Sequence, residues 1–124
     1  MKIKIESIIN SVEVLKKITN AEVPIQTSYH IAKNIEKIEK EIEFFEKERV
    51  KIVKKYGEKK EDGELLVSEN GNVNIVDVEN FNKEMQELNS LEVELDIVKI
   101  NIEDLRDSKI SITPREVLSI SYLL

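Results

Sequence analysis

The sequence predicts an α+β domain dominated by helix, with one long central helix, several short ones and a small antiparallel sheet made of a hairpin plus one strand. Three observations carry this. A single apolar stripe of Ile31, Ile35, Ile38, Ile42, Phe45, Arg49, Ile52 and Tyr56 alternates spacings of four and three, the pattern of a helix that buries one face. Asn70-Gly71 sits between two short runs containing β-branched residues, the strongest local signal for a hairpin. Val93, Leu95 and Ile97 alternate with Glu94 and Asp96, as in a strand with one polar face.

Taken in order, Ile5, Ile8, Ile9, Val12, Leu15 and Ile18 recur at helical spacing and predict a first helix over residues 5–19. Lys2-Ile3-Lys4-Ile5 also alternates, so a short strand over residues 1–6 competes for the start of that segment. Asn20 and Pro24 end it. Thr27 or Ser28 is the expected N-cap of the long helix, which runs to Tyr56 and stops at Gly57, expected in the left-handed conformation. At 1.5 Å per residue that helix is roughly 44 Å long, and the first helix covers about half of it. The remaining stripe is expected to pack against a second copy of the chain, so a homo-oligomer built on the long helix is expected.

Residues 59–63 form a polar connection to the hairpin, whose arms are residues 64–68 and 72–76. Asp77 caps a third helix carrying Val78, Phe81, Met85 and Leu88 and ending near Ser90. Residues 92–99 then form the strand that pairs with the hairpin. Thr113-Pro114-Arg115-Glu116 combines a capping box with proline at the first helical position, so a last helix starts there and runs towards Leu124.

The composition excludes several functional classes. The 124 residues suit one domain, and 40% hydrophobic with 35% charged residues argues for a folded chain. Cysteine is absent, which removes disulfides, thiolate metal sites and cysteine nucleophiles and suits a reducing cytoplasm. No stretch has the roughly 18 apolar residues of a membrane span, and the first twenty residues lack the apolar core of a signal peptide. A net charge of −6 opposes general binding to nucleic-acid backbones. The charge is segregated, however. Arg49, Lys51, Lys54, Lys55, Lys59 and Lys60 face one acid, Glu58, whereas residues 77–107 hold ten acids against three bases.

No catalytic or cofactor motif stands out, so no enzyme activity, cofactor or metal is expected. His30 is the only histidine, and the glutamates of the long helix lack the Glu-x-x-His pairing of di-iron helices. None of the three glycines belongs to a phosphate loop, and Glu61-Asp62-Gly63-Glu64 lacks the ligand spacing of a calcium loop. Arg49 is the notable departure. A cation in an apolar stripe snorkels, pairs with a carboxylate, or meets an anion held between subunits. Arg106 and Arg115, beside a helix start, are further anion candidates. With Lys54 and Lys55 adding positive field and Phe81 or Tyr56 stacking on a base, these seven residues comprise the parts of a pocket for a small phosphorylated nucleotide.

Pro24, Tyr29, Ile31-Ala32-Lys33-Asn34, Lys55-Tyr56-Gly57, Asp62-Gly63, Phe81-Asn82-Lys83-Glu84, Glu87-Leu88 and Ile112-Thr113-Pro114 resemble a group of small uncharacterised proteins encoded by phages and prophages of low-GC Gram-positive bacteria. The resemblance implies a viral accessory protein acting in the host cytoplasm, and no functional residues come with it. By analogy of class with phage anti-defence sponges, the leading expectation is a non-enzymatic oligomer that sequesters a nucleotide-derived immune signal. The competing expectations are a structural or assembly chaperone and a direct protein inhibitor of a host enzyme.

Overall fold

The computed structural model describes residues 1–124 and is built around one helix. Its elements are β1 (Lys2–Lys4), α1 (Ile5–Asn10), α2 (Val12–Thr19), α3 (Ile25–Tyr56), α4 (Val78–Asn89), β2 (Glu92–Glu94), α5 (Ile102–Asp107) and α6 (Pro114–Ser119), followed by a 3₁₀ turn at Ser121–Leu123. The chain is thus mostly helical, with α3 spanning 32 residues and a two-stranded antiparallel sheet. No helix is long and apolar enough to cross a membrane.

Both readings of the start are realised in sequence: residues 2–4 are a strand and the helix begins at Ile5. The expected single helix over 5–19 is interrupted at Ser11, which is completely buried. Its hydroxyl donates to the Ile8 carbonyl and shares a 2.7 Å hydrogen bond with the Tyr122 hydroxyl. A contact 111 residues away therefore fixes the kink between α1 and α2. The long helix starts at Ile25, with Pro24 at its cap rather than Thr27 or Ser28. It ends at Gly57 as expected, but Gly57 is extended (φ −76°, ψ 145°), not left-handed. The chain runs straight on into an antiparallel bridge between Gly57 and Ile75, and a Cβ at Gly57 would lie 2.6 Å from Leu65 Cδ2 and 2.7 Å from Val73 Cγ1.

The expected turn at Asn70-Gly71 forms, closed by the Val67–Val73 bridge, but the strand after α4 does not pair with it. β2 pairs with β1, Ile3 opposite Val93, and its flanking charges lie Lys2 against Glu94 and Lys4 against Glu92. The segment from Gly57 to Val76 folds separately as two successive tight turns, bridged at Lys59–Leu65 and Val67–Val73. Gly63 and Gly71 take positive φ at these turns, where glycine avoids the Cβ strain of other residues. The strand expected over 92–99 is confined to Glu92–Glu94: the Leu95 N–H still donates to the Met1 carbonyl, and beyond it α3 side chains take up backbone groups of Asp96 and Val98. The buried Asn34 amide donates to the Val98 carbonyl at 2.8 Å and accepts from the Val98 N–H at 3.0 Å, and Lys37 donates to the Asp96 carbonyl.

These returning segments also cover the apolar stripe of α3. Ile31 and Ile38 join Ile3, Ile8, Leu15, Ile18, Leu95, Ile100, Leu105, Ile120 and Leu123 in the main core, with Ile35 and Ile42 packed against it. Phe45 forms a second cluster with Ile5 and Leu88, against which Ile52 packs. The expectation of an uncovered stripe is therefore incorrect. Residues 93–105 and the C-terminal turn fill the space that the short first helix leaves, so this stripe supplies no argument for a second subunit.

Candidate functional site

The two signs of charge on the second half of α3 are arranged by helical geometry. Phe44, Glu48, Lys51 and Lys55 follow one another at spacings of four, three and four, a single line beside the buried stripe. α4 runs antiparallel to this part of α3: Tyr56 meets Phe81 edge-on at 6.4 Å between ring centroids, and Phe45 packs on Leu88. Asp77 starts α4 by accepting from the Asn80 N–H, which leaves Glu84, Glu87 and Leu88 facing the α3 line. Between the two helices lies an open groove of about 410 Å³ whose floor is Ile52 and Leu88 and whose rims carry Phe44 and Leu91. Phe44 is 42% exposed and Leu91 44%.

Four of the groove's five charged groups are paired, Glu87 being the fifth. Lys51 binds Glu48 at 3.0 Å and Lys55 binds Glu84 at 2.7 Å. The hydrogen bond to Glu84, with Tyr56 behind it, holds the Lys55 ammonium above its ordinary range. Lys55 also lies 5.2 Å from the Tyr56 ring centroid, within cation–π distance. At the far side of Tyr56, a cleft of about 340 Å³ opens between Lys55, Lys59, Val76 and Asp77.

The seven residues expected to form a nucleotide pocket do not meet in one chain. Lys55, Tyr56 and Phe81 converge at the C-terminal end of α3, with Lys54 exposed one residue away. Arg49 donates to Glu46 at 3.0 Å, one turn back on its own helix. Arg106 lies on α5, whose Asp104 accepts from Thr27 at the opposite end of α3, and its guanidinium binds Asp107 at 3.1 Å. Arg115 is exposed on α6, next to Glu116, which binds Lys17 of α2 at 2.6 Å. Thr27 and Arg49 are 22 residues apart on one helix, a rise of roughly 33 Å. Arg49 and Arg106 are therefore separated by most of the length of α3.

His30 meets Tyr29 ring to ring at 6.1 Å, and no group of three or more His, Asp or Glu side chains is placed to hold a metal ion. What the sequence reading missed is the groove: Phe44, Glu48, Glu87 and Leu91. The signal was present as a second stripe at heptad-like spacing, beside the apolar one, with three of its four residues charged. Comparison of the chain with known protein families, curated proteins and solved structures finds no match.

Proposed function

We propose that this chain is a non-enzymatic accessory protein of the phage type its sequence resembles, and that it acts as a helix-binding assembly module through the groove between α3 and α4. The observation that carries this reading is the groove's composition: an apolar floor of Ile52 and Leu88, half-exposed Phe44 and Leu91 on its rims, and charges of both signs along it, Glu48, Lys51 and Lys55 on α3 and Glu84 and Glu87 on α4. An amphipathic helix is the element that fits such a surface, its apolar side on the floor and its charges against the rims. The test replaces Phe44 with a photo-crosslinking phenylalanine analogue in Gram-positive cells producing the chain. A covalent product joining position 44 to a polypeptide is expected. A chain that keeps its helical circular dichroism and gives no such product defeats the reading.

The second reading, nucleotide capture without turnover, is favoured by the cleft beside Tyr56, where Lys55 and Lys59 flank an aromatic ring. It loses support from the separation and self-pairing of Arg49 and Arg106. Incubation with cyclic dinucleotides and cyclic ADP-ribose derivatives tests it. A rise in melting temperature, with intact ligand recovered after denaturation, would establish capture, and no rise would exclude these ligands.

A further inference from the structure

We infer that the helix received by the α3–α4 groove is α3 of a second copy of this chain, packed antiparallel about a two-fold axis to make a four-helix bundle of two α3–α4 hairpins. The inference rests on the assembly reading above and names the partner of that groove.

The argument is self-complementarity. A two-fold interface brings the same surface to both sides, so each feature must find its counterpart within one patch. The line Phe44, Glu48, Lys51, Lys55 has that property when reversed, because an antiparallel alignment about its midpoint sets Glu48 against the partner's Lys51 and Phe44 against the partner's Lys55. The acidic residue thus meets a lysine at both symmetry-related positions. Phe44 meets a lysine whose stem is apolar and whose ammonium is attracted to an aromatic face. A parallel alignment would instead oppose Lys51 to Lys51 and Glu48 to Glu48. The flanking α4 adds to the match at Glu87, which borders the groove beside Leu88 and Phe45, near the level of Glu48 where the partner's Lys51 would lie. Within the monomer these groups make only exposed ion pairs, Lys51 to Glu48 and Lys55 to Glu84, which solvent keeps weak and which exchange readily for equivalent pairs across an interface. The hairpin geometry is the one that bundles use, two antiparallel helices with an apolar floor between them.

Sedimentation equilibrium of the full chain at micromolar concentration is expected to give twice the chain mass of 14.4 kDa. Glu48→Lys makes all four central charges positive in the pair, and Lys51→Glu makes all four negative. Each variant alone is expected to associate at least tenfold more weakly than the native chain. Mixed in equal amounts, the two place lysines at 48 and 51 opposite glutamates at 48 and 51, and association is expected to return. Rescue by mixing cannot arise from the ion pair within one helix, so a purely structural role for Glu48 and Lys51 does not produce it. A native chain that sediments as a monomer, or variants that fail to associate on mixing, overturns the inference. The position-44 crosslink separates the two failures: a monomeric chain that crosslinks to a different polypeptide refutes self-pairing and leaves the assembly reading standing, whereas no crosslink removes both.

Discussion

At the scale of single residues, two buried polar groups do what a longer sheet would otherwise do. Asn34 uses one amide to satisfy both hydrogen-bonding groups of Val98, so its side chain serves as the missing neighbour strand. Replacing it by alanine takes both partners from the Val98 peptide group, and Asn34→Ala is expected to cost about 1–3 kcal/mol in urea unfolding. A loss within experimental error would mean that water takes over the role. Ser11 and Tyr122 tie the first and last parts of the chain together. Burial pushes the Tyr122 phenol above its ordinary value of 10.0. The folded state therefore keeps this proton where the unfolded state releases it. The stabilisation is complete below about pH 10 and is lost as pH rises from there through the folded pKa. Above about pH 10 the native chain should lose stability more steeply than Tyr122→Phe; parallel pH profiles would contradict the assignment.

At the scale of elements, the ends of helices were more legible than the partners of strands. Asp77 and Thr113 cap α4 and α6 as their sequence context indicates, and Thr113 with Glu116 closes a full capping box. Cap chemistry acts over three residues and can be read locally. Thr113→Ala is expected to cost about 1 kcal/mol in thermal or urea unfolding, and an unchanged midpoint would refute the cap's contribution. Strand pairing cannot be read that way. The alternation around Val93 says that one face is buried but not that β1, some ninety residues earlier, is its neighbour. The six residues of α5 offered only Ile102 and Leu105 as apolar periodicity, too few to register as a helix. Gly57 shows how a correct residue can be assigned the wrong reason, since close approach of Leu65 and Val73, and not a left-handed backbone, excludes a side chain there. Gly57→Ala should consequently open the segment after α3. The Glu58, Leu66 and Val76 amides, which donate to Asn74, Glu58 and Tyr56, should lose hydrogen-exchange protection while α3 amides near Ile38 keep theirs. Uniform loss would show that the segment is part of the main cooperative unit.

At the scale of the whole molecule, the C-terminal turn closes the core. Ile120 and Leu123 are each 1% exposed, and the Leu123 carbonyl accepts from Ile100 at 2.7 Å. Removing residues 120–124 forfeits roughly 3–6 kcal/mol from these two side chains alone, comparable with the whole stability of a small domain. The shortened chain is expected to lose its sharp thermal transition in calorimetry, and a preserved transition would show that the rest of the core suffices. The same long-range closure explains what sequence could say about the candidate site. Lys55 and Tyr56 are adjacent in the chain, but their meeting with Phe81 depends on α4 folding back antiparallel on α3, which no local pattern states. Arg106 and Arg115 could not be located relative to them, because their position depends on how α5 and α6 return to the start of α3.

The contacts between Ser11 and Tyr122 and between Ile3 and Val93 also set the order in which this protein can come into being. The half of the chain that is made first contains the apolar side of α3 with only α1 and α2 to cover part of it. The rest of its cover, α4 and residues 93–123, follows α3 in the chain. Non-local closure of this kind slows folding and leaves greasy surface exposed in the interval. The nascent chain is therefore a natural client for holding chaperones until Leu123 is free to dock, and an early stop codon yields an aggregation-prone fragment instead of a smaller working protein.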